Sequence, residues 1–159
     1  MIQITFDVSG IATVQQKFAT YGADVKDLSV PFTEIADDLQ ADFTLNMATE
    51  GALFGGGWAP LAPSTIADRV RKGYGAGPIL YRTGALANSL SGDNSGAIKE
   101  VTPASVTVGT AVPYAGYHQT GTKKMPMRRI IGLSWARRSL IVRRLADYIR
   151  MLAAESGIG

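Results

Sequence analysis

Phe32, Ile35, Ala36, Leu39, Phe43 and Met47 recur at steps that, at about 100° per residue, place them on one face of a helix, with Glu34, Asp37, Asp38 and Asp42 on the other. A segment with this pattern folds as a helix only if something else covers its apolar stripe, so the rest of the chain must supply a cover. Ser29 is placed to cap it, and Pro31 is tolerated in its first turn, where the missing amide has no intrahelical partner anyway. Leu45 breaks the pattern as an apolar side chain among the acids.

The remaining elements follow from the same two periods. Ile2, Ile4, Phe6 and Val8 alternate with polar residues as in a half-buried strand ended by Gly10. Ile11, Val14, Phe18, Tyr21, Val25 and Leu28 form the stripe of a core-facing helix whose weak point is Gly22, at about 1 kcal/mol relative to Ala. The glycines and prolines of EGALFGGGWAPLAPS exclude regular structure, and Ser64 or Thr65 opens a short helix that includes Arg69, Arg71 and Lys72. GYGAGP is a loop, and ILYRTGALANSL is a short strand or the start of a helix. AIKEV and SVTVGT read as a hairpin, and YAGYHQTG as a helical turn closed by Gly121. Ser134 caps a final helix running to about Ala154, with Ile141, Leu145, Tyr148, Ile149 and Leu152 as its buried stripe. The expected fold is α+β: a small antiparallel sheet covered by two or three helices, with a long C-terminal helix. One domain is expected over residues 1–159, with mobile loops near 51–62, 73–78 and 120–127.

Residue inventory removes most chemistry. With no cysteine there is no disulfide, thiolate metal site or cysteine nucleophile, and one histidine, His118, leaves too few ligands for zinc. No GxSxG elbow accompanies His118, which reads as a structural histidine. Gly55, Gly56 and Gly57, and the alternating Gly73, Gly75 and Gly77, match neither phosphate-loop pattern. No enzyme activity, cofactor or metal is expected. MIQITFDVSG has no basic or apolar leader region, and no stretch approaches the roughly 18 apolar residues of a membrane span, so no membrane partner is expected.

Charge is divided along the chain. Residues 1–120 carry 7 Lys and Arg against 11 Asp and Glu, and residues 121–159 carry 9 against 2. A basic third calls for a polyanion or an acidic surface, and that surface can be this protein's own acidic helix. Arg137 and Arg138 fall in the first turn of the last helix, where positive charge opposes the helix dipole at a cost of about 0.3 to 1 kcal/mol each. Three readings stay open: solvated arginines with snorkelling stems, an intersubunit ion pair, or contact with nucleic-acid phosphate. The candidate contact residues are Lys123, Lys124, Arg128, Arg129, Arg137 and Arg138 on the basic side, and Glu34, Asp37, Asp38 and Asp42 on the acidic side.

Taken in order, GGGWAPLAPST, ILYRTGALANSL, VGTAVPYAGYHQTG and PMRRIIGLS before a final helix resemble the phage virion morphogenesis family, whose members include the tail-completion protein of Mu-like phages. The resemblance covers about residues 40–154 and rests on the order and spacing of these blocks. It carries a pattern onto Trp58, Pro60, Leu61, Thr83, Gly84, Gly109, Tyr114, His118, Gln119, Gly121, Pro126 and Gly132. Under it, Trp58 and Leu61 anchor a loop stiffened by Pro60, Thr83 caps a short helix, and Gly109 and Gly121 occupy turns of positive φ. Tyr114, His118 and Gln119 fix the turn by hydrogen bonds. The resemblance implies a structural virion protein that forms a homo-oligomeric ring at the head–tail neck or tail end, completing the tail and joining it to the head around the DNA path. It is expected in the virion and, during assembly, in the host cytoplasm. Its implied partners are copies of itself, neighbouring neck, connector or tail-tube and terminator proteins, and passing double-stranded DNA without sequence-specific binding. The competing expectation is a DNA-binding accessory protein that uses residues 121–150 as a basic surface.

Overall fold

The structure is a computed structural model that describes residues 1–7 and 27–155. The helix expected from Ile11 lies outside the described residues, apart from Leu28 at its end. Strand β1 (Ile2–Asp7) keeps its alternation, with Ile2, Ile4 and Phe6 half-buried between exposed neighbours. Helix α1 (Ser29–Ala48) buries Phe32, Ile35, Ala36, Leu39, Phe43 and Met47, as the stripe predicts, and leaves Leu45 exposed. Its cap differs by two positions: Asp27 Oδ1 accepts the Ser29 amide at 2.8 Å and also the Ser29 hydroxyl, so Asp27 and not Ser29 ends the helix electrostatically. Those two hydrogen bonds, the hydroxyl's first, hold the Asp27 carboxyl below the usual aspartate range.

Four short helices follow. Helix α2 (Ala52–Gly55) forms inside the stretch that composition marked as loop. Helix α3 (Pro63–Arg71) starts one residue before the expected Ser64, with Pro63 supplying a preset φ at its first turn. Helix α4 (Ala85–Ser91) resolves the strand-or-helix ambiguity, and helix α5 (Ala115–Thr120) is the expected brief turn. The hairpin is present as β2 (Ala97–Val101) and β3 (Ser105–Thr110), and α6 (Trp135–Glu155) is the long last helix. Among the described residues this makes a three-stranded antiparallel sheet with six helices, an α+β fold.

The sheet order β1-β3-β2 puts β3 in the centre. Both faces of β3 are covered, so Thr107 and Thr110 are buried with the valines. Each has its hydroxyl satisfied: Thr107 by Thr5 at 2.9 Å and Thr110 by Ser89 at 2.7 Å. Gly109 was expected in a turn of positive φ, but it lies in β3 and its φ is ordinary. Glycine is required there because a Cβ would stand 2.2 Å from the Ile2 carbonyl oxygen and 2.5 Å from Gln3 Cα.

Two compact units are built from these elements. The first comprises Met1–Ile4, Leu39–Ile98 and Val108–Gly132, with Leu39, Phe43, Met47, Leu86, Leu90 and Ile130 among its buried side chains. The second comprises Thr5–Asp38, Lys99–Thr107 and Leu133–Gly159. Its described buried side chains include Phe32, Ile35 and Val106, together with Ile141, Leu145 and Ile149 of α6. Tyr148 and Leu152, expected in the α6 stripe, are only half-buried, and Ala153 completes it.

Candidate functional site

In the second unit, α1 and α6 meet through charge. Glu34 and Asp38 are four residues apart and share a helix face; Arg137 and Arg144 are seven apart and do the same. Arg137 Nη1 lies 2.8 Å from Asp38 Oδ2, and Arg144 reaches Asp38 at 2.7 Å and Glu34 at 3.2 Å. Asp37, on the neighbouring row, pairs with Lys99 of β2 at 2.5 Å. Three of the four acids singled out from sequence are therefore matched within the chain, and Asp42 also interacts. Arg144 was missed by sequence reading. Its seven-residue spacing from Arg137 was the available signal.

The two arginines that open α6 part company. Ser134 Oγ accepts the Arg137 amide at 3.1 Å, which confirms Ser134 as the cap. Arg137 then turns inward to Asp38 with its side chain 18% exposed. Arg138 is exposed. With Ser139, Val142, Arg143, Ala146 and Arg150 it lines an open groove of about 420 Å³ along α6. Arg150 is paired with Asp147 at 2.5 Å, while Arg138 and Arg143 have no ionic partner among the described residues. Trp135, at 83% exposure, and Val142 add apolar surface to this basic face.

In the first unit, the family-pattern residues form a tie between the 51–62 loop and residues 118–132. Trp58 Nε1 and Asn46 Nδ2 both donate to the Arg129 carbonyl at 3.0 Å, and Asn46 Oδ1 accepts the Phe54 amide at 3.3 Å. Arg128 is 5% exposed, which corrects its expected place on a contact surface. Its Nε and Nη2 clamp the Ala59 carbonyl at 3.1 and 3.0 Å, and Nη2 also reaches the Pro60 carbonyl at 3.2 Å. Burial pushes the Arg128 guanidinium below its ordinary range. Gln119 is the fastener on the other side: Oε1 accepts the Ile130 and Ile131 amides at 2.9 and 3.1 Å, and Nε2 donates to the Ile131 carbonyl at 2.7 Å.

Other expectations are adjusted. His118 fixes the turn through its backbone carbonyl, which accepts the Arg128 amide at 2.7 Å. Its ring meets Tyr114 edge-on at 6.0 Å rather than by a hydrogen bond, and Nδ1 has no partner. Burial, and then the nearby Arg128 charge, push the His118 pKa below its usual value. Thr83 Oγ1 stands 3.4 Å from the Ala85 amide, too long for a good cap, and Gly84 holds the cap position. Gly121 has φ 73°, as expected, and Gly132 leaves room for the Phe54 ring, 2.8 Å from where a Cβ would be. Leu61 is half-buried, Pro126 is exposed, and Lys123 and Lys124 are exposed between the paired Thr122 and Met125. Arg129 is exposed as well.

The features that persist are a tied loop, an internal ion-pair cluster and a basic helix face. The family profile of the phage virion morphogenesis family matches residues 10–150. The chain belongs to that family. No curated protein and no solved structure matches it. Membership gives this phage virion morphogenesis protein a structural, virion-associated role. No helix among the described residues is long and apolar enough to cross a membrane.

Proposed function

We propose that this chain is a stoichiometric, non-catalytic subunit that closes into a homo-oligomeric ring at the head–tail neck or tail end. There it completes the tail and joins it to the head around the DNA path. The observation that carries this reading is the outward face of α6: Arg138 and Arg143 have no ionic partner among the described residues, while Arg137 and Arg144 are matched within the chain. In a subunit that acts by assembly, unmatched surface charge is available to a neighbour of opposite sign. A head-to-tail ring needs two different complementary surfaces, and this face serves as one of them. Its partners are further copies and neighbouring neck, connector, terminator or tail-tube proteins. The role of α1 narrows, since Glu34, Asp37 and Asp38 serve their own chain's cations.

The same face supports a second reading, a DNA-binding accessory protein, because exposed arginines and Trp135 suit a polyanion. Both are tested with an Arg138→Glu, Arg143→Glu double variant, whose fold is checked by urea denaturation. Negative-stain imaging of virions carrying a labelled wild-type copy is expected to show label at the neck or tail end, and the folded double variant is expected to be absent from virions. Label over the capsid, or normal incorporation of the double variant, counts against the ring reading. DNA binding by the free chain that falls steeply with salt favours the accessory reading.

A further inference from the structure

A cleft of about 510 Å³ in the first unit remains unexplained by the loop tie. Its lining includes Leu61, Arg69, Tyr74, Leu80, Arg82 and His118. Arg69, on α3, is 4% exposed, an unusual position for a guanidinium. Its Nη1 donates to the Pro78 carbonyl at 3.1 Å, but Nε and Nη2 are buried with no acceptor. These two atoms form the side-on edge of the fork, the edge with which Arg128 clamps the Ala59 carbonyl. An edge with two parallel N–H groups matches the two oxygens of a carboxylate.

The surroundings favour an anion with an apolar attachment. Arg82 lies 4.8 Å over the Tyr74 ring; its pair with Asp68 is long, at 3.9 Å, and Asp68 is shared with two closer cations, so Arg82 still adds positive charge to the wall. Asp68, the acid of the lining, is engaged by Arg71 at 2.6 Å, Lys72 at 3.0 Å and Arg82 at 3.9 Å, so it leaves the Arg69 fork unneutralised. Met125 lines the cleft from the turn that exposes Lys123 and Lys124. Leu80 is held at φ 66°, a conformation that a leucine adopts only when its surroundings over-determine it. His118 Nδ1 is a further unpartnered polar atom of the same lining.

We propose that this cleft receives a carboxylate from a protein segment of an assembly partner, held bidentately by the Nε/Nη2 edge of Arg69, with an adjoining apolar residue against Leu61 and Leu80. Burial of the fork selects a group on a slender side chain or chain end, which argues for a polypeptide over a duplex backbone. The inference deepens the assembly reading and rests on it only for the occupant's source. Titration of the isolated chain reads the cleft and virion imaging reads placement, so each can fail without the other.

The test follows the Arg69 Nε–H signal by NMR in the full ¹⁵N-labelled chain, assigned by its loss in Arg69→Lys or, should that variant misfold, by through-bond correlation in the wild type. The probes are acetyl-Leu-Glu-amide, N-acetyl-leucine, acetyl-Leu-Gln-amide and inorganic phosphate. At least one of the two carboxylate probes is expected to shift the signal saturably, with a dissociation constant of about 1 mM. Arg82→Ala is expected to weaken that response roughly 3- to 10-fold. A stronger effect of N-acetyl-leucine identifies a chain terminus as the occupant, and a stronger effect of the glutamate peptide identifies a side chain; either supports the proposal. It is overturned by no saturable shift from either carboxylate at about 10 mM, ten times the expected constant. An equal response to the glutamine peptide overturns it too, as does tighter binding of phosphate, which would move the site to nucleic acid.

Discussion

Arg137, in the first turn of α6, lies 2.8 Å from Asp38 of α1, and Arg144, two turns later, reaches the same carboxylate at 2.7 Å. One acid thus holds two arginines of the last helix. The Asp38 side chain is 34% exposed, so solvent screens the pairs and each contributes modestly. Asp38→Ala is expected to lower unfolding stability by about 1 to 2 kcal/mol, since two cations lose a partner. A double-mutant cycle with Arg137→Ala should give a coupling of about 0.5 to 1 kcal/mol that shrinks in 1 M salt. Urea denaturation at two salt concentrations measures both, and a coupling of zero would show that the pair only sits in place.

Arg138 is expected to behave in the opposite way to its neighbour. It is exposed in the first turn of α6, where its charge opposes the helix dipole. Arg138→Glu should raise stability by about 0.3 to 1 kcal/mol, and Arg137→Glu should lower it by placing an acid against Asp38. Thermal unfolding of the two single variants separates them by sign.

Gln119 satisfies three backbone groups of Ile130 and Ile131 with one side chain. Gln119→Ala should cost about 2 to 3 kcal/mol, because buried amides lose their acceptor. Gln119→Glu keeps the acceptor for the two amides but sets a carboxylate oxygen against the Ile131 carbonyl where the donor stood, so it should also destabilise. Amide hydrogen exchange at Ile130 and Ile131 reports the loss locally: rates should rise strongly in the alanine variant and less in the glutamate variant.

His118 predicts a pH dependence of stability. Burial, and secondarily the Arg128 charge, lower its pKa in the folded chain, so the unfolded chain binds the proton more readily. Its contribution is therefore complete above the unfolded value of about 6.5 and is lost as pH falls from there through the folded value. The urea midpoint should drop between pH 7 and 5, and His118→Gln should flatten that part of the curve. An unchanged slope in the variant would assign the dependence to other groups.

Much of this protein was legible from residue periodicity. The stripes from Phe32 to Met47 and from Ile141 to Ile149, the alternation of Ile2, Ile4 and Phe6, the hairpin and the Ser134 cap are each written in the spacing of nearby residues, and all are present. The α+β class follows from them. Misreadings occurred where long-range contacts set the outcome. Composition marked Ala52–Gly55 as loop, yet it is helical, with Asn46 accepting the Phe54 amide. Thr107 alternates with Val106 and Val108 along the sequence, but β3 is the central strand and all three are buried.

For the candidate site, sequence alone determined the charge division, the absence of cysteine chemistry and the arginines that open α6. Only the tertiary structure decided what each charge does. It sent Arg137 inward to Asp38 and left Arg138 outside, placed Arg128 under the Ala59 and Pro60 carbonyls, and buried Arg69 in a cleft with half its fork unmatched. Gly109 makes the same point without charge, because it is demanded by the close approach of β1 and not by any turn. Local pattern reports which face a side chain occupies. Whether that face meets an acid, a carbonyl or open solvent depends on segments far away in the chain, and spacing along one helix carries no record of them.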